Sequence, residues 1–174
     1  MEIWDIYDKN RQKTGKTHIR GNELAKNDYH LVVMVLIFNS KNEMLLQKRQ
    51  DNLSWSPGLY TTTCGGSAIS GESSQQAAMR ELFEELGISV DLLHKQYDFS
   101  WTFDNVFFDY YLLNIDNIDT SVLPLPTEEV QSVRWATKDE IILLINQQKC
   151  RKYRKSFLDL CFDLAGYDNL ISYD

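Results

Sequence analysis

Residues 2–8 alternate, with Ile3, Asp5 and Tyr7 on one side of an extended chain and Trp4 and Ile6 on the other, and so predict a strand. Residues 9–28 are polar and carry Gly15 and Gly21, the pattern of a turn-rich arm. The run Leu31-Val32-Val33-Met34-Val35-Leu36-Ile37-Phe38 has no polar position, as in a strand buried on both faces. A polar turn at 39–42 leads to a return strand over 43–49. Residues 52–59, with Trp55, Pro57 and Gly58, read as an exposed loop, and 59–64 as a short Thr-rich strand ending at Gly65-Gly66. Residues 74–86 lack Gly, Pro and β-branched side chains and predict a helix, with Gly87 placed as its C-terminal cap.

A broken strand is expected over 88–99 and another over 105–113, joined by a tip carrying Trp101 and Asp104. Pro124 and Pro126 mark a loop, and 130–136 reads as a strand. Thr137-Lys138-Asp139-Glu140 is a capping box opening a helix to about residue 148, and 155–165 forms a last helix. Strands interleaved with helices predict an α/β fold, a mixed β-sheet between helical layers.

Composition narrows the class of function. With 174 residues, 43% of them apolar, the chain can fill one core, and no repeat or linker divides it. Its 18 basic and 25 acidic residues give a net charge of −7, which disfavours non-specific nucleic-acid binding. An anionic ligand must then be met by local basic groups or metal ions. No apolar run is long enough to cross a bilayer, and the opening Met1-Glu2-Ile3-Trp4-Asp5 lacks the basic-then-apolar form of a secretory leader. Three widely spaced cysteines, Cys64, Cys150 and Cys161, read as reduced thiols, which points to a cytoplasmic protein with no membrane partner.

On the 74–86 helix, Glu81, Glu84 and Glu85 fall at i, i+3 and i+4, within about 100° of one face. An isolated Glu-x-x-Glu-Glu is ordinarily a solvated helix surface. Its alternative is a cage for hard divalent cations, which turn the repulsion between carboxylates into attraction. The neighbours decide between these. From Gly66 the chain reads Gly66-x5-Glu72-x7-Arg80-Glu81-Leu82-x-Glu84-Glu85-x-Gly87-Ile88. That spacing fills the Nudix box, and a chance match in such a chain is on the order of 10⁻⁷.

The chain therefore resembles the Nudix hydrolase superfamily. The resemblance implies the Nudix fold in a single domain over 1–174, with a strand and arm at 1–28, the box at 66–88 and C-terminal helices at 137–174. It implies Glu81, Glu84 and Glu85 as ligands of Mg²⁺ or Mn²⁺, Glu72 as a supporting or occasional ligand, and Arg80 as the residue that orients a box glutamate. Gly66 permits close backbone approach or a positive φ. Many members add a ligand or base from the loop before the strand that ends in tryptophan; here Glu129 is the candidate, with Glu128 in reserve. The implied reaction is metal-dependent hydrolysis of a diphosphate bond in a nucleoside diphosphate derivative or similar small organic diphosphate. Glu81, Glu85 and Glu129 are the catalytic candidates, with Glu85 or Glu129 as general base. Homodimers are common in this superfamily.

Outside the box the chain is similar to the isopentenyl-diphosphate isomerase branch. Trp4-Asp5-Ile6-Tyr7-Asp8, Tyr29-His30, Leu46-Gln47-Lys48-Arg49, the Trp55-x-Pro57-Gly58 loop and Cys64-Gly65 carry this likeness. It brings in a second reading, isomerisation of an isoprenoid diphosphate with Cys64 as acid/base. Against it, Gly66 stands where isomerases have a metal-binding histidine, the box is intact, and Asp109 is displaced from the expected acidic position. A non-catalytic ligand-binding Nudix module is a third reading. Arg49, Lys48 and Arg20 are candidates to meet phosphate, Arg49 foremost, and Trp55, Tyr60 and Trp101 are candidate aromatic contacts. His30 is expected to be structural. The basic residues of 149–155 are expected to form a solvated stretch after the Thr137-capped helix.

Overall fold

A computed structural model describes residues 2–166. The described chain divides into two compact units: the chain up to Val35 with Cys64–Tyr111, and Leu36–Thr63 with the chain from Leu112 on.

In the first unit β1 (Ile3–Tyr7) pairs antiparallel with β2 (Lys13–Ile19). The arm expected over 9–28 is thus largely a strand. All its side chains except that of His18 are exposed, so no apolar alternation announces it. Most of β3 (His30–Phe38) lies here, paired antiparallel with β6 (Cys64–Ser67) through Val32↔Ser67 and Val35↔Cys64. Helix α1 (Ser74–Leu86) packs on β6 and has the predicted bounds. Ser73 accepts the Gln76 N–H while the Gln76 side chain accepts the Ser73 N–H, and Gly87 closes the helix at φ 69°. Ala77, Ala78, Leu82 and Leu86 face the core and fix its rotation. Strands β7 (Phe99–Phe103) and β8 (Val106–Asn114) form a hairpin turning at Asp104 and Asn105. Trp101 therefore lies within β7 and not at a tip. No strand forms over 88–98, where Leu92 alone is buried and no second apolar side chain anchors the segment.

In the second unit β4 (Met44–Arg49) pairs antiparallel with β5 (Tyr60–Thr61) on one side and with β9 (Val130–Ala136). The strand expected over 59–64 is broken. The Thr63 hydroxyl donates to the Leu45 carbonyl at 2.6 Å and accepts the Ile37 N–H at 2.9 Å, so one side chain bridges β3 and β4. Past this wedge the chain continues as β6. Thr137 and Glu140 form the predicted capping box of α2 (Lys138–Asn146), which packs on β9 and on α3 (Lys155–Ala165). The part of the expected C-terminal helical region at 167–174 lies outside the described residues. Leu36–Phe38, Met44–Leu46, Ile141, Leu158 and Phe162 form this unit's core.

The seven-stranded sheet has the order β5-β4-β3-β8-β7, with β6 on β3 and β9 on β4. At one end of β3 the His30 N–H donates to the Asn105 carbonyl at 3.0 Å, and at the other the Ile115 N–H donates to the Phe38 carbonyl at 2.9 Å. Strands β3 and β8 thus run parallel while the other named pairs run antiparallel, which makes the sheet mixed.

Candidate active site

The box residues meet around Arg80. Its Nε donates to Glu72 Oε1 at 2.8 Å and its Nη2 to Glu72 Oε2 at 3.1 Å, a two-pronged pair. Nη1 donates to Glu81 Oε1 at 2.7 Å and to Glu84 Oε2 at 2.9 Å, and Nη2 also reaches the Ser67 carbonyl at 2.9 Å. One guanidinium thereby ties the end of β6, the loop before α1 and two turns of α1 together. Burial works against its charge, yet Glu72 and Glu81 outweigh this and raise its pKa above the ordinary arginine value.

The acids differ in exposure. Glu84 is the open one, its side chain 58% exposed, whereas those of Glu72 and Glu81 are 15% and 12% exposed. Glu85 is buried. Gly66 explains how Glu81 fits. A Cβ at residue 66 would lie 2.3–2.5 Å from the Glu81 carboxylate, so only glycine lets that group rest on the strand. Three glutamates share one arginine, and all their donors are carboxylate oxygens, the ligands that Mg²⁺ and Mn²⁺ prefer. As they stand they are drawn toward Arg80, and among the described residues no three acids, histidines or cysteines meet around one point.

Cys64 is buried at the start of β6. Burial first, and then the negative charges of Glu85 and Glu81, push its thiol well above the usual range. All three cysteines are free and buried.

The N-terminal strand is fastened to the box loop by a residue that sequence reasoning did not single out. Asp5 accepts from Lys13 at 2.6 Å, from the Ser70 hydroxyl at 2.6 Å and from the Gly71 N–H at 3.0 Å. Burial alone would raise its pKa, but these donors hold it at about 2. A second unforeseen anchor is Asp109 on β8, which is fully buried. It accepts from Arg11 and from the Ser74 hydroxyl at 2.6 Å, while Tyr111 donates to Ser74 at 2.8 Å. Nothing in the spacing of Arg11, Ser74 and Asp109 signals this pairing, which arises only once the strands meet.

The other predicted residues fall in separate places. Arg20 follows β2 and pairs with Glu2 at 2.5 Å. His30 is buried and stacked on Trp4, ring centres 4.1 Å apart, and its Nδ1 has no hydrogen-bond partner among the described residues. In the second unit Lys48 and Arg49 end β4, and Arg49 faces Glu129 at 3.5 Å. Glu129 and Glu128 are exposed. Trp55 is half exposed and close to two arginines: the guanidinium of Arg49 lies 5.1 Å and that of Arg151 4.3 Å from its ring centre. The basic stretch is therefore not simply solvated. Cys150 is buried and Arg151 turns onto Trp55, because the Arg151 N–H donates to the Tyr60 carbonyl at 2.8 Å and so draws this segment onto β5.

With this geometry in hand, comparison with known proteins is direct. The NUDIX domain matches residues 28–160. An uncharacterized Nudix hydrolase of Listeria monocytogenes is 44% identical over 95% of this chain and 96% of its own length. An isopentenyl-diphosphate delta-isomerase of Pectobacterium atrosepticum is 30% identical over 78% of this chain and 76% of its own. A crystal structure from Deinococcus radiodurans superposes with a TM-score of 0.74 at 21% identity, covering 92% of this chain and 99% of that one. No described helix is long and apolar enough to cross a membrane. The box on β6 and α1, the mixed sheet and these matches agree: this chain belongs to the Nudix hydrolase family.

Proposed function

We propose that the protein hydrolyses a diphosphate bond in a nucleoside diphosphate derivative or similar small organic diphosphate, using Mg²⁺ or Mn²⁺, as a single cytoplasmic domain. The observation that carries this reading is the array of Glu72, Glu81 and Glu84 around Arg80, with Glu81 seated on Gly66. An array that only decorated a helix surface would not need a glycine beneath one carboxylate.

In this reading Glu81, Glu84 and Glu85 supply the oxygen ligands, and Glu129 is a further candidate ligand. Bound Mg²⁺ or Mn²⁺ would offset the charge of the phosphate oxygens and make a nearby water more acidic. Arg80 and Glu72 act by position. Glu81 and Glu84 both accept from Nη1 of the guanidinium that Glu72 holds in place, which sets where these two carboxylates lie. Glu85 or Glu129 takes the proton of the attacking water on a carboxylate oxygen. Water oxygen bonds to one phosphorus, the bridging P–O bond breaks, and the other phosphate leaves. Arg49, Lys48, Arg20 and Trp55 are the proposed contacts to the rest of the substrate.

The isomerase-named relatives keep one further reaction in the assay. A phosphate-release screen over nucleotide sugars, dinucleoside polyphosphates, nucleoside triphosphates and isoprenoid diphosphates, with and without Mg²⁺, tests the proposal. Turnover of one class that stops without the metal supports it. Tight binding without turnover would point to a binding module, and double-bond migration in isopentenyl diphosphate to an isomerase.

A further inference from the structure

On a chain of net charge −7, one cluster outside the box concentrates positive charge. Arg49 and Arg151, far apart in sequence, both lie over the ring of Trp55, and Arg151 also lies 5.7 Å from the ring centre of Tyr153. The surrounding backbone is tied down. Arg49 Nε donates to the Trp55 carbonyl at 2.9 Å, the Tyr60 N–H to the Lys149 carbonyl at 2.9 Å, and the Thr62 N–H to the Tyr153 hydroxyl at 3.1 Å.

The charges in this cluster do not cancel. Arg49 is shared with Glu129 at 3.5 Å, while among the described residues no carboxylate pairs with Arg151. An indole face attracts a guanidinium but takes none of its N–H groups. A guanidinium over a ring keeps its N–H groups for an anion, and a planar fork suits two parallel bonds to phosphate oxygens. Because both arginines touch one ring, their guanidinium groups cannot be farther apart than their two distances to that ring combined. That separation is within the reach of a diphosphate group, whose oxygens can accept from more than one guanidinium.

We propose that Arg151 and Arg49, held on Trp55, form a clamp for the phosphate oxygens of a small phosphorylated ligand, and that Arg151 is a substrate-binding residue of this protein. The clamp itself does not depend on the box; only the identity of its ligand as the substrate rests on the proposed hydrolysis. Inorganic pyrophosphate is the probe, titrated calorimetrically into the full chain in EDTA, where the box carboxylates have no metal through which to hold an anion. Saturable binding is expected, at least tenfold weaker in Arg151→Gln, since a charged hydrogen-bond donor is lost. Arg151→Lys, which keeps the charge but not the planar fork, should also bind more weakly. Melting curves confirm that both variants are folded. Wild-type affinity in either folded variant, or no saturable binding by the unaltered protein, would overturn the proposal. Glu85→Gln serves to separate the two readings: it should abolish hydrolysis and leave pyrophosphate binding in EDTA unchanged.

Discussion

Gly65 and Gly66 are neighbours on β6, yet an added methyl group should have opposite consequences at the two positions. At Gly66 a Cβ would lie 2.3 Å from Glu81 Oε1, 2.4 Å from its Cδ and 2.5 Å from its Oε2. Ordinary contacts are near 3.5 Å, so the carboxylate has to retreat by about 1 Å. It is the end of a flexible side chain, and what it forfeits is its 2.7 Å bond to Arg80. Arg80 keeps Glu72 and Glu84, so the net stability cost of Gly66→Ala is about 1 kcal/mol, a fall of about 2–4 °C in Tm. A metal ligand displaced by about 1 Å should cost about 100-fold in kcat/KM. At Gly65 the new methyl would instead meet the Val33 backbone carbonyl at 2.7 Å and Met34 Sδ at 2.6 Å. The carbonyl is part of the β3–β6 pairing and cannot withdraw. Gly65→Ala should therefore cost about 3 kcal/mol, or about 6–12 °C, with kcat/KM of the folded fraction nearly retained. Thermal unfolding and steady-state hydrolysis of the best substrate from the screen measure both. A Gly66→Ala variant with wild-type kcat/KM would refute the role given to the Glu81 seat.

Other perturbations probe different parts of the account. Cys64→Ser should leave hydrolysis within a few-fold of wild type, because a buried, protonated thiol serves packing; a loss of several orders of magnitude in rate would favour the isomerase chemistry instead. Arg11→Ala strands the buried Asp109 carboxylate with Ser74 as its remaining donor and should cost about 3 kcal/mol in urea unfolding, most of it recovered in Arg11→Met/Asp109→Asn. Burial, and then the positive charge of His18, lower His30 from 6.5 to about 4, so the unfolded chain binds the extra proton between these values. Stability should then rise with pH through that window and be lost on acidification through it, by at most about 3 kcal/mol. In His30→Phe, which keeps the stack on Trp4, that slope should flatten; an unchanged slope would assign it to another group.

The box was legible because its information is local. A helix with Gly87 behind it and glutamates at i, i+3 and i+4 carries its own geometry, and α1 has the bounds its residue types dictate. Strand β3 was legible for the same reason, as an unbroken apolar run needs burial on both faces. Strand β2 was not, because both its faces are wet and its pairing with β1 leaves no apolar period. The break between β5 and β6 depends on Thr63 bridging Ile37 on β3 and Leu45 on β4, 26 and 18 positions away in sequence. Arg151 was hidden inside a basic run for a similar reason. Its place on Trp55 follows from the bridge between Tyr60 and Cys150, which no local pattern encodes.

The central claim is that the acids of α1 and its preceding loop work only around a divalent ion. Hydrolysis followed through a cycle of EDTA treatment and Mn²⁺ return, paired with Mn²⁺ titration of the unaltered protein and of Glu81→Gln and Glu85→Gln, tests it most directly. Activity should fall to background in EDTA and come back with Mn²⁺, and each variant should bind Mn²⁺ at least tenfold more weakly while remaining folded. Turnover that survives the chelator, or unchanged Mn²⁺ affinity in both variants, would contradict it.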